Sequence, residues 1–148
     1  MRKITKFAAA AAIVASTVLI APAANASASH NGLDPITTGC TSGAYAVSTW
    51  NMVNQKYNEV QGKIQLMYSP GCQTNWINVY GYVAGNRYAA GIFVGSVPGG
   101  SMKASVTNAG TAYSRMVYAP GSTCVTVGSN IFDNATGAVE MNETRYFC

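Results

Sequence analysis

Residues 74–83 read TNWINVYGYV, and this stretch decides the fold class of the chain. Its side chains alternate with period two, which is the pattern of a β-strand because successive side chains point to opposite faces of a sheet. One predicted face is apolar and holds Ile77, Val79 and Val83, with Gly81 in line. The other carries the aromatic and amide side chains Trp76, Asn78, Tyr80 and Tyr82.

The same alternation recurs on both sides of this stretch. Turn residues such as Pro98-Gly99-Gly100 and Asn108-Ala109-Gly110 separate the segments, and residues 129–137 read as a turn-rich connection. The other predicted strands are 45–53, 63–69, 88–94, 102–107, 111–118, 124–127 and 139–147. About eight short strands without a convincing helix predict an all-β fold, a small antiparallel sandwich or barrel.

The start of the chain has the composition of an export signal. Arg2, Lys3 and Lys6 precede an apolar run over residues 7–20, and small residues follow Pro22. We therefore expect a signal peptide over residues 1–28 and a single secreted, extracellular domain over residues 29–148, with no membrane span. Turn residues fill 29–39, which predicts a mobile N-terminal arm.

Charge excludes one class of partner. The chain carries nine Lys and Arg against five Asp and Glu, and three of those cations belong to the predicted signal peptide. The remaining six cations are scattered along the sequence and nearly balance the acids. The sequence has no basic patch of the kind that would predict nucleic-acid binding. We therefore expect no nucleic-acid partner.

Four cysteines lie in the predicted exported part: Cys40, Cys72, Cys124 and Cys148. An even number in an oxidising compartment predicts two disulfides, for which three pairings are possible. We favour Cys40–Cys72 and Cys124–Cys148, since the second pair would fasten the C-terminal strand to the body. A metal site is not expected, because there is no C-x-x-C pair and His30 is the one histidine.

Catalytic chemistry has few candidate residues. His30 lies beside the predicted cleavage site, where it would be a poor general base. The acids, whose spacing gives no sign of a pair across a cleft, are Asp34, Glu59, Asp133, Glu140 and Glu143. We interpret them as solvated surface groups, and we predict a non-enzyme with no cofactor and no metal.

The aromatic face of residues 74–83 is the candidate binding surface. Trp76, Tyr80 and Tyr82 could stack against sugar rings or anchor a protein partner. In a small β domain such rings more often pack against a second layer, so burial is the competing interpretation.

Three features of the sequence resemble those of a known family. They are the motif Asp34-Pro35…Gly39-Cys40, the run IQLMYSPGC over residues 64–72, and Trp76 after that run. Together they resemble DUF2690, an uncharacterised family of short secreted actinobacterial domains. Leu33 and Asn78 stand where that family usually has Lys and Arg. The resemblance implies secretion and a cysteine-linked β fold, and it implies no activity.

Three hypotheses about function follow. The first is a secreted binding module that contacts envelope glycan or a protein through Trp76, Tyr80 and Tyr82. The second is an inhibitor or effector that acts on another protein through the loop over residues 94–102. A hydrolase using carboxylates alone ranks last.

Overall fold

In the computed structural model of the chain, the described residues are 28–95 and 100–148. Nearly all of the predicted signal peptide therefore lies outside the described residues. The same holds for residues 96–99, the centre of the loop proposed for an inhibitor or effector. Both interpretations stay predictions.

Two antiparallel sheets form the molecule, which confirms the predicted all-β class and identifies it as a sandwich. A short 3-10 turn over Ala28–His30 precedes the strands. The strands are β1 (Tyr45–Asn54), β2 (Glu59–Ser69), β3 (Thr74–Gly81), β4 (Asn86–Phe93), β5 (Ser101–Thr107), β6 (Gly110–Tyr113), β7 (Val117–Tyr118), β8 (Val125–Asp133) and β9 (Val139–Phe147). The first sheet has the order β1-β2-β3-β6, with β7 also paired to β3, and the second has the order β5-β4-β8-β9.

The core lies between the two sheets and is built from the predicted apolar faces. In the first sheet, Ile64 pairs with Val79 and Leu66 pairs with Ile77, and all four side chains are fully buried. The second sheet contributes five fully buried or nearly buried apolar side chains to the same cluster: Tyr88, Ile92, Val94, Val127 and Ile131. Each large aliphatic side chain buried in this way contributes about 1.5–3 kcal/mol.

Several predicted boundaries were wrong. Strand β2 begins at Glu59 and not at residue 63, and β3 ends at Gly81, which leaves Val83 outside the apolar face and exposed. Strand β8 runs on to Asp133, through part of the segment 129–137 that reads as a connection. Ser129 and Ile131 point inward and are buried. Because one of these inward positions is a serine, the sequence does not show the apolar alternation that marks a strand. The predicted strand 111–118 is interrupted after Tyr113, because the Ser114 N–H donates to Ile77 O and the Met116 N–H donates to Leu33 O.

Residues 29–39 form hydrogen bonds with the body of the domain, and their mobility stays a prediction. The Gly32 N–H donates to Met116 O at 2.8 Å, and the Arg115 guanidinium donates to Gly32 O at 2.9 Å. Asn31 Oδ1 accepts from the Tyr118 N–H. The segment therefore behaves as an added, irregular edge beside β7.

Both favoured disulfides are present, Cys40–Cys72 and Cys124–Cys148, and they use all four cysteines. The first closes the segment that follows the arm onto the turn between β2 and β3. The second joins the loop before β8 to the last residue of the chain. Within the described ranges, no helix is long and apolar enough to cross a membrane.

Candidate functional site

Trp76 lies on the outer face of the first sheet but is not exposed there. Only 3% of its surface is accessible. It packs in a second small cluster with Met116 and the Cys40–Cys72 disulfide, beneath the segment that follows the arm. The strand pattern predicted its face correctly, but a distant segment covers that face. Trp76 therefore offers no exposed ring to a ligand, and burial is the interpretation that the structure supports for it.

The two tyrosines of the predicted surface are placed differently from Trp76. The Tyr80 hydroxyl donates to Gln65 Oε1 at 2.6 Å, and the Lys63 ammonium lies 4.3 Å from the centre of its ring. Tyr82 lies just beyond the end of β3 and is 48% exposed. The three residues therefore form no continuous exposed aromatic surface, and binding through Tyr80 and Tyr82 stays a proposal.

A larger groove lies on the outer face of the second sheet, and we call it the trough. It has a volume of about 460 Å³ and crosses β5, β4 and β8. Its lining residues are Ala89, Ala90, Gly91, Phe93, Lys103, Ala104, Ser105, Gly128, Asn130 and Phe132. The trough is open to solvent, and its floor is formed by small residues between two phenylalanines.

Strand register creates the floor of the trough. Gly91 of β4 pairs with Gly128 of β8, so two neighbouring positions on the solvent side have no side chain. In the next row, Ala89 lies between Ser105 and Asn130, which supply a hydroxyl and an amide. A glycine inside a strand often marks a place where another molecule approaches the backbone. The arrangement leaves a depression with hydrogen-bonding groups along one side.

Phenylalanine side chains close the trough at its two ends. A Cβ atom built on Gly91 would lie 3.0 Å from Phe93 Cζ, so the Phe93 ring leans over the floor. Phe132 pairs with Arg87, six positions further along β4. At about 3.3–3.4 Å per residue, the Cα positions of the two aromatic rows are about 20 Å apart, and the rings themselves are closer because Phe93 leans toward Phe132 over Gly91. The trough therefore suits an extended ligand more than a compact one.

Lys103 lines the trough, and the other cation of this face, Arg87, does not line it but contacts the lining residue Phe132. The Arg87 guanidinium is stacked on the Phe132 ring, with its carbon 4.5 Å from the ring centre. Lys103 pairs with Gly91, and its Cγ is 3.7 Å from the position that a Gly91 Cβ would take. Stacking on an aromatic ring fixes the position of a guanidinium without removing its hydrogen-bond donors.

The carboxylates do not gather at a cleft. Glu140, expected to be a solvated surface group, is instead buried at one end of the sandwich, where it accepts a hydrogen bond from the Asn54 amide. Glu143 accepts hydrogen bonds from Arg145 and lines a separate groove at the β1–β9 side. Asp133 accepts from the N–H groups of Ala135 and Thr136, and these bonds, the Thr136 bond most strongly, lower its pKa. Glu140, Glu143 and Asp133 therefore each take part in a structural contact, and they do not face one another across a cleft.

His30 lies next to the Cys40–Cys72 disulfide. A ligand atom of its ring and both sulfur atoms are within 4.8 Å of one another, and its Nδ1 is buried without a hydrogen-bond partner among the described residues. Metal coordination by cysteine requires a thiolate. Since both sulfurs are bonded to each other, this cluster does not form a metal site in the oxidised protein.

Sequence reasoning missed the trough, although one signal was present. Gly91 lies inside the predicted strand 88–94, where glycine weakens the strand unless a close approach or a bulge requires it, whereas Gly128 lies beyond the predicted strand 124–127. Phe93 and Phe132 are each placed on the solvent side of their strand. None of these features identifies a groove until the register brings the two glycines together.

Comparison with known proteins adds one match. The sequence model of one protein family, described as a protein of unknown function (DUF2690), matches residues 28–131. No curated protein and no solved structure matches the chain.

Proposed function

Because the chain belongs to the DUF2690 family, whose function is unknown, we propose its role from the trough: it is an exported, non-catalytic module that binds polysaccharide. The trough is the single observation that carries this proposal. Its ligand lies along the outer face of the second sheet, between Phe93 and Phe132.

The chemistry of the trough supports a sugar ligand. Saccharides present flat C–H faces, which pack against aromatic rings, and hydroxyl groups, which need hydrogen-bond partners. Phe93 and Phe132 supply the rings, while Ser105 and Asn130 supply neutral donors and acceptors between them. The floor at Gly128 is partly open and lets a chain of sugars approach the backbone there, whereas Gly91 is covered by the Phe93 ring. A binding site made of few polar groups on an apolar surface is the usual form of a small-molecule site.

Two features of the chain support the proposal that it is exported: its disulfides and the composition of residues 1–28. Disulfides form and persist outside the cytoplasm in most organisms, and here two disulfides take up every cysteine of the chain. The basic and apolar order of residues 1–28 supports the same conclusion.

The absence of catalysis is part of the proposal. Glycoside hydrolysis requires two carboxyl groups on opposite sides of the bond to be cleaved. Neither the trough nor the groove above Trp76 is lined by a carboxylate, within the part of the chain that the structure describes. The ligand of the trough would therefore be held and not cleaved.

A filled trough provides the direct test. In Gly128→Val, the added side chain occupies the floor, and a Cβ at this position makes an ordinary 3.9 Å contact with Phe93 Cε2. Valine also favours strands, so we expect the variant to fold. Pull-down on insoluble polysaccharides and on isolated cell envelopes should show binding of the wild type and loss of at least tenfold in Gly128→Val. Circular dichroism and thermal unfolding show whether the fold is kept.

The control is Tyr82→Ala, which changes an exposed aromatic residue away from the trough. We expect it to bind as the wild type does. If Tyr82→Ala loses binding while Gly128→Val keeps it, the ligand lies on the surface predicted from the sequence and the trough proposal is wrong. If the wild type binds none of the polysaccharides, the proposed function is wrong.

A further inference from the structure

We infer that the ligand of the trough is an anionic polysaccharide, with its carboxylate or phosphate groups held by Arg87 and Lys103. This inference rests on the proposed function and specifies its ligand. The evidence is the placement of these two cations, their lack of acidic partners, and the distance between them.

Arg87 is positioned to receive an anion. Its guanidinium lies on the Phe132 ring, at one end of the trough. Stacking uses the face of the guanidinium and leaves the N–H groups at its edge free to donate two parallel hydrogen bonds to a carboxylate or phosphate. Because the ring fixes the group beforehand, less side-chain entropy is lost on binding than with a freely moving cation.

Lys103 lies along the opposite part of the trough. Lys103 pairs with Gly91, which has no side chain. The aliphatic part of the Lys103 side chain lies over Gly91. The ammonium therefore projects from a side chain that itself lines the groove. A lysine acts as a point charge and tolerates varied anion geometry, which suits a polymer whose groups are not rigidly placed.

Neither cation has an acidic partner in the part of the chain that the structure describes. Among residues 28–95 and 100–148, the two ion pairs are Lys56–Glu140 and Arg145–Glu143, and neither involves Arg87 or Lys103. The register explains why. Glu143 pairs with the buried Ser129 and so belongs to the inner side of the second sheet.

The whole outer face of this sheet lacks acids over the described residues. The positions that the register places there with Arg87 and Lys103 are neutral: Ala89, Gly91, Phe93, Ser101, Ser105, Thr107, Thr126, Gly128, Asn130, Phe132, Asn142, Thr144 and Tyr146. A face with two cations and no acid attracts anions, within about 10 Å at 0.1 M salt. A neutral glucan would gain nothing from this arrangement.

The distance between the cations favours a polymer. Lys103 is opposite Gly91, four residues along β4 from Arg87, so the two Cα positions are about 13 Å apart along the strand direction. A chain that carries an anion on successive repeats can contact both side chains, and it then benefits from two linked contacts.

The experiment compares three soluble polymers of similar length: a polyuronate, a polymer of glycerol phosphate, and a neutral glucan. Calorimetry would be carried out with the wild type, Arg87→Gln and Lys103→Gln at about 0.05 M and 0.5 M salt. We expect at least one anionic polymer to bind more tightly than the glucan. Each substitution should weaken that binding by about tenfold, the effect of one lost charge-assisted hydrogen bond, and high salt should weaken it in the wild type.

Lys63→Gln is the matched control, because Lys63 is a cation on the other sheet, stacked on Tyr80. It should bind as the wild type does. If Lys63→Gln weakens binding as much as Lys103→Gln, the effect is one of net charge and the inference is wrong. The better of the two anionic polymers identifies carboxylate or phosphate as the recognised group.

The outcomes separate the two proposals. If the glucan binds as well as the anionic polymers and Gly128→Val abolishes that binding, the anion inference fails while the trough remains the binding site. If anionic polymers bind but Arg87→Gln and Lys103→Gln both have no effect, the inference fails as well. If no polymer binds, both proposals are overturned.

Discussion

The Tyr113 hydroxyl donates a hydrogen bond of 3.1 Å to Asp34 Oδ2 and so joins the N-terminal segment to β6, 79 residues further along the chain. The other oxygen of Asp34 accepts from the N–H groups of Ile36 and Thr37. The Thr37 bond most of all lowers the pKa of Asp34, and the bond to Asp34 raises the pKa of Tyr113. An ionised carboxylate thus holds together a turn and a contact between distant segments.

Asp34 should make stability depend on acid pH. Its folded-state pKa lies below the ordinary value of 3.8, so its contribution is present above that value and is lost as the pH falls through the folded-state pKa. Asp34→Asn should therefore unfold at a lower temperature than the wild type at neutral pH, and the difference should shrink as the pH falls below 3.8. Thermal unfolding by circular dichroism measures this. A difference that persists unchanged in acid would contradict the role of the charge.

Trp76 should matter for stability instead of binding. Trp76→Ala removes a nearly buried indole from the cluster around the Cys40–Cys72 disulfide and should lower the free energy of unfolding by about 3–5 kcal/mol. Trp76→Phe should cost clearly less, because it keeps an aromatic ring. Urea unfolding measures both values. If Trp76→Ala folds with wild-type stability but loses ligand binding, Trp76 is a binding residue and the prediction of a structural role is wrong.

The two disulfides should contribute unequally. They close loops of similar sequence separation, 32 and 24 residues, so loop-closure entropy alone predicts about 3–4 kcal/mol for each. Cys40 and Cys72 are buried against Trp76, however, while Cys124 and Cys148 are exposed. Removing both cysteines of the first pair by Cys→Ser should therefore cost more than removing those of the second. Equal losses in urea unfolding would show that packing around the first disulfide adds nothing.

Glu140 should be the most sensitive acid of β9. It accepts from the Asn54 amide, which also donates to Gln61 Oε1, and Asn86 donates to the same oxygen. Glu140→Ala removes the acceptor of one buried N–H of the Asn54 amide, which keeps its bond to Gln61, and should cost about 2–3 kcal/mol. Glu143→Ala, on the same strand but partly exposed, should cost less than about 1 kcal/mol. Comparable losses for the two variants would rule out a special role for the buried network.

Gly81 should tolerate no side chain. A Cβ at this position would lie 2.5 Å from Asn108 O and would also collide with the Tyr88 ring, which is fully buried. Gly81→Ala should lower the free energy of unfolding by about 1–3 kcal/mol through overpacking. Gly71→Ala is the control, because a Cβ there meets nothing within 4 Å. Thermal unfolding of both variants tests the prediction, and a neutral Gly81→Ala would contradict the close packing of Tyr88.

The sequence by itself determined the class of the fold and much of its interior. Period-two alternation at Ile64, Leu66, Ile77 and Val79 predicted strands with an apolar face, and these side chains are the centre of the core. The cysteine pairing favoured for the exported part is also the one observed. These features could be predicted because alternation along a strand and the number of cysteines are local properties of a chain.

Only the tertiary structure decided which outer faces are free. Alternation placed Trp76 on the outer side of β3, but Cys40 and Met116, far away in the sequence, cover it. The trough required Gly91 and Gly128 to become neighbours, and their pairing depends on the register between β4 and β8. A strand pattern states which side a residue faces, whereas exposure depends on the segments that the rest of the chain brings against that side.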